Sequence, residues 1–542
     1  MINTRVFTSA ALLLLGLAMA AQKAPYTHAD TLKGTYGKTR SWWDVLHYDL
    51  HVAFNINDST IAGHNTITYK ILEQANELQL DLMVPLAMDS IIQDGKKCSF
   101  RRDGNAFFVE VAEGAERGAI KNLTAYYHGR PVQARQAPWD GGVVWKRDNL
   151  NKPWISVACQ GMAAQVWFPN KDHMADEPDS ATVHFTAPDG LFVVSNGRFS
   201  GLLPHADGSA TFSWKVRNPI NNYNIIPYIG NYTVIKDTFN GRSGVLDIEF
   251  WFLQGNDGGA KTQFEQVKPM LRCFEDWFGP YPFYEDGYKL VEAPFLGMEH
   301  QSAIAYGNGF FNGYQGRDLS GTGWGLKWDF IIIHESGHEW FGNNISAADV
   351  ADNWIHESFT AYSENLYTEY LYGKEAGAAY VIGTRKAVLN DRPIIADYNV
   401  NAGGSYDLYY KGANMLHTIR QIVNYDSIWK ATLRGLNSEF RHKTVSSADI
   451  ENYMIKFTGL DLQPVFDQYL RTTKIPVLEY KLRGNKLRYR WTNCVKNFNM
   501  PVKVYHEMDT LLLYPEKKWK KVSWKKSGVS TDSNFYVTDR AL

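Results

Sequence analysis

The order of apolar and polar positions changes twice along the chain, which divides it into three regions. From about Trp42 to Val234 it alternates with period two. "HYDLHVAFNI", "HNTITYKIL", "LQLDLMVPL", "AFFVEVA" and "ATVHFTAP" are rich in β-branched and aromatic residues and are separated by Asn, Asp, Gly and Pro, as expected of a large antiparallel β region. From about Gly241 to Pro476 the period becomes helical. "KTQFEQVKPMLRCFEDWFG", "NWIHESFTAYSENLYTEYLYG" and "GANMLHTIRQIVNY" space their apolar residues for one helix face, and two of the three end in Gly. The last 66 residues return to short strands, "VLEYKLRG", "KLRYRWTN" and "VKVYHEM". The boundaries read this way are 21–240, 241–476 and 477–542, preceded by a different kind of segment at 1–20.

That first segment has a basic residue, Arg5, then about ten apolar residues, then Ala18-Met19-Ala20. This is the pattern of a secretory signal peptide with a small-x-small cleavage site, too short for a comfortable membrane span. It leads us to expect export from a bacterial cell, to periplasm or medium, and no membrane span once the segment is removed. The composition fits a soluble protein of 542 residues, with 44% hydrophobic and 21% charged residues. A net charge of −1 gives no bulk field for nucleic acid or anionic membrane. Cys98, Cys159, Cys273 and Cys494 have neither metal-ligand nor redox spacing. Six lysines in "PEKKWKKVSWKKS" read as an exposed strand with solvated side chains. "GTGWGLK" lacks the spacing of a phosphate loop, and no G-x-S-x-G occurs, so a serine nucleophile is not supported.

The chemistry concentrates in "FIIIHESGHEWFGNN", residues 330–344. On a helix, positions four apart lie about 40° apart on one face, so His334 and His338 can offer two imidazoles to one ion. Glu335 is angled to hold a water beside it. A catalytic zinc takes three protein ligands and an open position. The third candidate is Glu357, nineteen residues beyond His338 on a helix of its own. A short loop through "NNISAADVAD" would let the two helices pack antiparallel and bring it in.

At these residues the sequence resembles the M1 family of gluzincin aminopeptidases, the group of aminopeptidase N and leukotriene A4 hydrolase. "HESGHEWFGN" followed by "WIHESFTAY" is similar to the family's H-E-x-x-H-x-W-F-G-N and N-E-G-F-A strings, with His356 and Ser358 where Asn and Gly are usual. "FLGMEHQSAIAYG" resembles the G-x-M-E-N exopeptidase motif, with Leu296 for its Gly and His300 for its Asn. The resemblance implies that Glu299 binds the substrate's free α-amine beside Gly297 and Met298. "YDLYYKGANML" resembles the Y-x-K-G segment. That puts Tyr409 at the oxyanion-binding position, with Tyr406 and Tyr410 as rivals. A less regular match over "ACQGMAAQVWFP" places Gln160 as a second contact to the amine. The family fold implies an α+β multidomain chain: a β-saddle N-terminal domain, a thermolysin-like mixed α/β catalytic domain and here a small C-terminal β domain.

The resulting expectation is an aminopeptidase with one Zn²⁺ per chain, held by His334, His338 and Glu357. Glu335 serves as general base, and peptides with a free N-terminus are the partners. Three readings compete. A thermolysin-like endopeptidase would have no use for Glu299, and a lipid-epoxide hydrolase of the same family has no support in the sequence. A non-catalytic binding protein would have lost Glu335 or a ligand, and none is lost.

Overall fold

The computed structural model describes residues 26–111, 116–159 and 162–542. The segment read as a signal peptide and the candidate Gln160 lie outside the described residues.

The alternating region folds as strands. β1 (Trp43–Asn55), β2 (Thr60–Ile71), β3 (Ser180–Ala187) and β4 (Ala210–Val216) lie in an eight-stranded sheet. Its order is Arg198–Pro204, β4, β3, β1, β2, Ile120–Gly129, Ala87–Gln93, Lys96–Lys97. Successive side chains of a strand point to opposite faces. Tyr48, Leu50 and Val52 of β1 and Val183 and Phe185 of β3 therefore enter the core, while Asp49, His51 and His184 face outwards.

A second sheet carries the catalytic region. Its strands are β5 (Tyr232–Gly241), β6 (Gly244–Leu253), β7 (Tyr288–Glu292), β8 (Gly297–Met298) and β9 (Ile304–Tyr306), in the order β5-β6-β7-β9-β8. Because β5 pairs along its length with β6, this sheet begins at Tyr232, ahead of the boundary drawn at residue 240 from the change of period. Strands β7, β8 and β9 are buried on both faces. Trp251, Val291 and Ala305 pack into the N-terminal core, while Phe250, Leu290 and Ile304 pack against helices. Those helices include α1 (Phe330–Gly337), α2 (Trp354–Tyr372) and α3 (Tyr410–Val423). From Val477 onward the chain forms two small sheets that share the catalytic core. The lysine-rich stretch contributes one short strand, Lys520–Ser523.

No helix among the described residues is long and apolar enough to cross a membrane. The four cysteines are unpaired.

Candidate metal and peptide site

α1 begins where Asp329 caps it: Oδ1 accepts from the Ile331 and Ile332 amides at 3.0 and 3.3 Å. Every residue of α1 is buried, so its two histidines are held rigidly. After His338 the helix widens into one loose turn and breaks at Phe341–Gly342, where Gly342 takes φ 129°. A side chain is strained in that conformation. The break turns the Phe341 carbonyl back to accept from His338 Nδ1 at 3.0 Å. His334 Nδ1 donates to Glu364 Oε1 at 2.7 Å, and Tyr380 donates to the other oxygen of Glu364 at 2.7 Å. Both imidazoles thus commit Nδ1 to the protein and turn Nε2 inward, an arrangement that orients metal ligands.

Glu357, on the first turn of α2, completes the triad. Its Oε2 lies 3.6 Å from His334 Nε2 and 3.4 Å from His338 Nε2. The oxygen is buried and has no hydrogen-bond partner. Ligands about 2.0–2.2 Å from a tetrahedral zinc stand about 3.3–3.6 Å apart, so each imidazole nitrogen lies at about that edge length from the carboxylate oxygen. The rings cross at 83°, which lets their lone pairs converge. Two imidazoles and one carboxylate are also the donor set zinc prefers, and the residues fit the ion.

The charges respond to one another. Burial would raise Glu357, but His338 and His334 hold its carboxyl well below the usual range. Burial would lower His338, but Glu357 pushes it up to about 9. The group that is not a ligand goes the other way: burial pushes Glu335 up to about 7 against the pull of both imidazoles. A base poised near neutral pH is what proton transfer requires.

The remaining sequence candidates surround this triad, apart from Gln160. Gly297 makes room for the base, since a Cβ there would stand 2.6 Å from Glu335 Oε1. Met298 and Glu299 follow it on the cavity wall. The ligand atoms of Glu299, Glu335 and His338 lie within 4.8 Å of one another. Glu299 accepts from the Tyr223 hydroxyl at 3.1 Å, and its carbonyl accepts from Asn343 Nδ2 at 2.8 Å, tying it to the turn after α1. Tyr409 stacks at 6.0 Å on His334, immediately before α3. Burial, then the charges of Glu357 and Glu299, keep its hydroxyl protonated. Of its rivals, Tyr406 is 73% exposed at the cavity rim. Tyr410 lines the wall one residue beyond Tyr409.

His300 points away from this cavity. It is 0% exposed, and its Nδ1 meets the Tyr228 hydroxyl at 2.5 Å, which in turn donates to the Ala303 carbonyl at 2.8 Å. His356 reaches the cavity wall, but its Nε2 is taken up in accepting from the Ala347 amide at 2.7 Å. Sequence reasoning did not single out Glu364. Its position seven residues after Glu357, two turns along the same helix face, was the available signal. It named Ser358 only as a departure from the family string; the Ser358 Oγ donates to the Leu408 carbonyl at 2.6 Å and so anchors the residue before Tyr409.

The cavity these groups share has a volume of about 730 Å³. Its walls come from the N-terminal region (Lys33, Trp139, His173), from β8 and α1, and from the segment carrying Val400 and Tyr409. Two of the three regions, the N-terminal and the helical one, therefore meet at one helix pair.

An H-E-x-x-H helix joined by a glutamate from the next helix is an arrangement able to hold zinc with a carboxylate beside it. Residues 262–469 match the family model of the peptidase family M1 domain. It is 22% identical over 468 residues to probable aminopeptidase 2 of Sulfurisphaera tokodaii, covering 81% of this chain and 55% of that protein. It is 23% identical over 467 residues to aminopeptidase N of Lactobacillus helveticus, covering 80% and 51%. The chain thus spans about half the length of these curated relatives. Its fold is that of the M1 zinc metallopeptidase from Deinococcus radiodurans, with TM-score 0.69 and 22% identity, over 81% of this chain and 95% of that one.

Proposed function

We propose that the protein is a zinc-dependent aminopeptidase that removes the N-terminal residue of peptides, with one Zn²⁺ per chain held by His334, His338 and Glu357. The observation that carries the exopeptidase half is Glu299: a carboxylate fixed within 4.8 Å of the base and a metal ligand, in a cavity that admits peptide. There it pairs with an α-ammonium and measures one residue from the chain end to the scissile bond.

Bound at the triad, zinc supplies Lewis acidity, polarising a carbonyl and lowering the pKa of water. The chain's own groups do the rest. Glu335 takes the proton of the attacking water and delivers it to the leaving amine. Tyr409 donates to the oxygen that gains charge, an effect worth about 3–4 kcal/mol for a well-placed donor. Glu299 holds the ammonium, and the buried walls exclude bulk water. The proposal includes export from a bacterial cell, supported by the basic, apolar and small-residue order of residues 1–20. N-terminal sequencing of the protein recovered outside the cytoplasm tests that part.

The activity is tested with one peptide in free and N-acetylated forms, products read by mass spectrometry. Stepwise loss of single residues from the free peptide alone is expected. Internal cleavage of both forms would discard the exopeptidase role of Glu299 and leave an endopeptidase.

A further inference from the structure

The outward face of the eight-stranded sheet carries a second cluster with the signature seen at Glu357. Asp49 and His51 stand two apart on β1 and so share a face. Parallel pairing sets His51 opposite His184 of β3, and antiparallel pairing sets it opposite His64 of β2. The His51 ring is therefore stacked between His64 at 4.5 Å and His184 at 4.2 Å.

Asp49 Oδ1 lies 3.2 Å from His51 Nε2 and 3.3 Å from His184 Nε2. Although the pairs are close, this oxygen is shielded from solvent and makes no aligned hydrogen bond. The ligand atoms of the three residues lie within 4.8 Å of one another. His184 places its Nδ1 on Ser213 Oγ of β4 at 2.7 Å; with the serine accepting, the Nε2 lone pair is left for an ion. An ordinary surface ion pair needs one imidazole on one oxygen. Here two Nε2 atoms stand around a single oxygen at about the edge length of a zinc tetrahedron, about 3.3 Å.

We propose that Asp49, His51 and His184 form a second metal site, for a borderline divalent transition ion such as Zn²⁺, with water completing the shell. Imidazole and carboxylate ligands favour Zn²⁺, Ni²⁺ and Cu²⁺ over Ca²⁺ or Mg²⁺. The site is less preorganised than the catalytic one. The His51 and His184 rings are 19° from parallel, so they must turn their edges inward, whereas His334 and His338 already cross at 83°. It therefore binds more weakly. Its ion would link β1 to β3, strands far apart in sequence, and stabilise the N-terminal sheet by binding the folded state.

The experiment uses the full chain with its catalytic zinc in place, equilibrated against Zn²⁺ and analysed for metal content, with the thermal midpoint followed in parallel. The native protein should hold one more equivalent than the His51→Gln/His184→Gln variant, and only the native midpoint should rise with Zn²⁺. Asp49→Asn keeps both imidazoles and should weaken the extra equivalent at least tenfold; it carries the test if the double variant does not fold. Peptide hydrolysis should be the same in all three. Equal stoichiometry and equal midpoint shifts in native and variant proteins would overturn the proposal, placing any extra ion on other surface histidines.

Discussion

Glu335 and Glu357 are carboxylates beside the same two imidazoles, yet their environments push them apart. Glu357 is held ionised as a ligand, while Glu335 is pushed up to about 7. Glu335→Gln should lower kcat by about 10²–10⁴-fold, the usual range for a general base, with zinc content unchanged. Loss of zinc together with activity would show that Glu335 serves the metal and not the proton. Glu364 should behave in the opposite way. It touches His334 Nδ1 and not the substrate cavity, so Glu364→Gln should weaken zinc by about 10–100-fold, measured by competition with a chelator, and restore kcat at saturating zinc. The His334–His338 pair was legible in the sequence because helix periodicity alone brings them together, and Glu357 because a short loop joins its helix to theirs. Glu364 was not, because its role depends on which face of α2 meets α1. Tyr409 was put ahead of Tyr406 and Tyr410 only through the resemblance: three tyrosines within five residues differ physically only in where the chain turns into α3.

The elements around the site are fitted by small residues whose purpose appears only in three dimensions. Gly412 lies in the first turn of α3 against α2, where a Cβ would fall 1.8 Å from Ser358 Oγ. Ser358 in turn holds the Leu408 carbonyl, one residue before Tyr409. Gly412→Ala should therefore displace the start of α3 and Tyr409 with it. We expect a loss of roughly 1–3 kcal/mol of stability from overpacking and a fall in kcat of tenfold or more. Ser358→Gly removes the obstructing hydroxyl, so the double variant Ser358→Gly/Gly412→Ala should recover kcat relative to Gly412→Ala alone. No recovery would mean that Tyr409 is positioned independently of this contact. Strand and helix regions were readable from period two and period 3.6. The start of the catalytic sheet was not, because β5 alternates like the strands before it, and only its partner β6 assigns it to the second sheet.

Across the whole molecule, histidines kept neutral by burial tie stability to pH, and one of them fastens two units together. His417 of α3 donates from Nε2 to Asn534 Oδ1 of the C-terminal domain at 2.9 Å, and its Nδ1 is buried without a partner. Burial, with Arg420 and Arg385 nearby, pulls its pKa down to about 4. His173, half-buried within the N-terminal region with its Nε2 on the Gly34 carbonyl at 3.1 Å, is likewise pulled down by burial to about 4. The unfolded chain takes up a proton near pH 6.5, while the folded chain resists until about pH 4. Stability is therefore fully present above pH 6.5 and is lost as the pH falls towards 4, each such group steepening the loss by up to about 1.4 kcal/mol per unit. At pH 5 one histidine with these values costs roughly 2 kcal/mol relative to neutral pH. His417→Gln removes the titrating group and keeps a side chain able to donate to Asn534. Whatever its stability at pH 7.5, the variant should lose less than the native protein on going to pH 5, by about that 2 kcal/mol, in denaturant unfolding followed at both pH values. Parallel losses in the two proteins would mean that His417 already carries its proton in the folded state, and that the contact between α3 and the C-terminal domain is indifferent to acid.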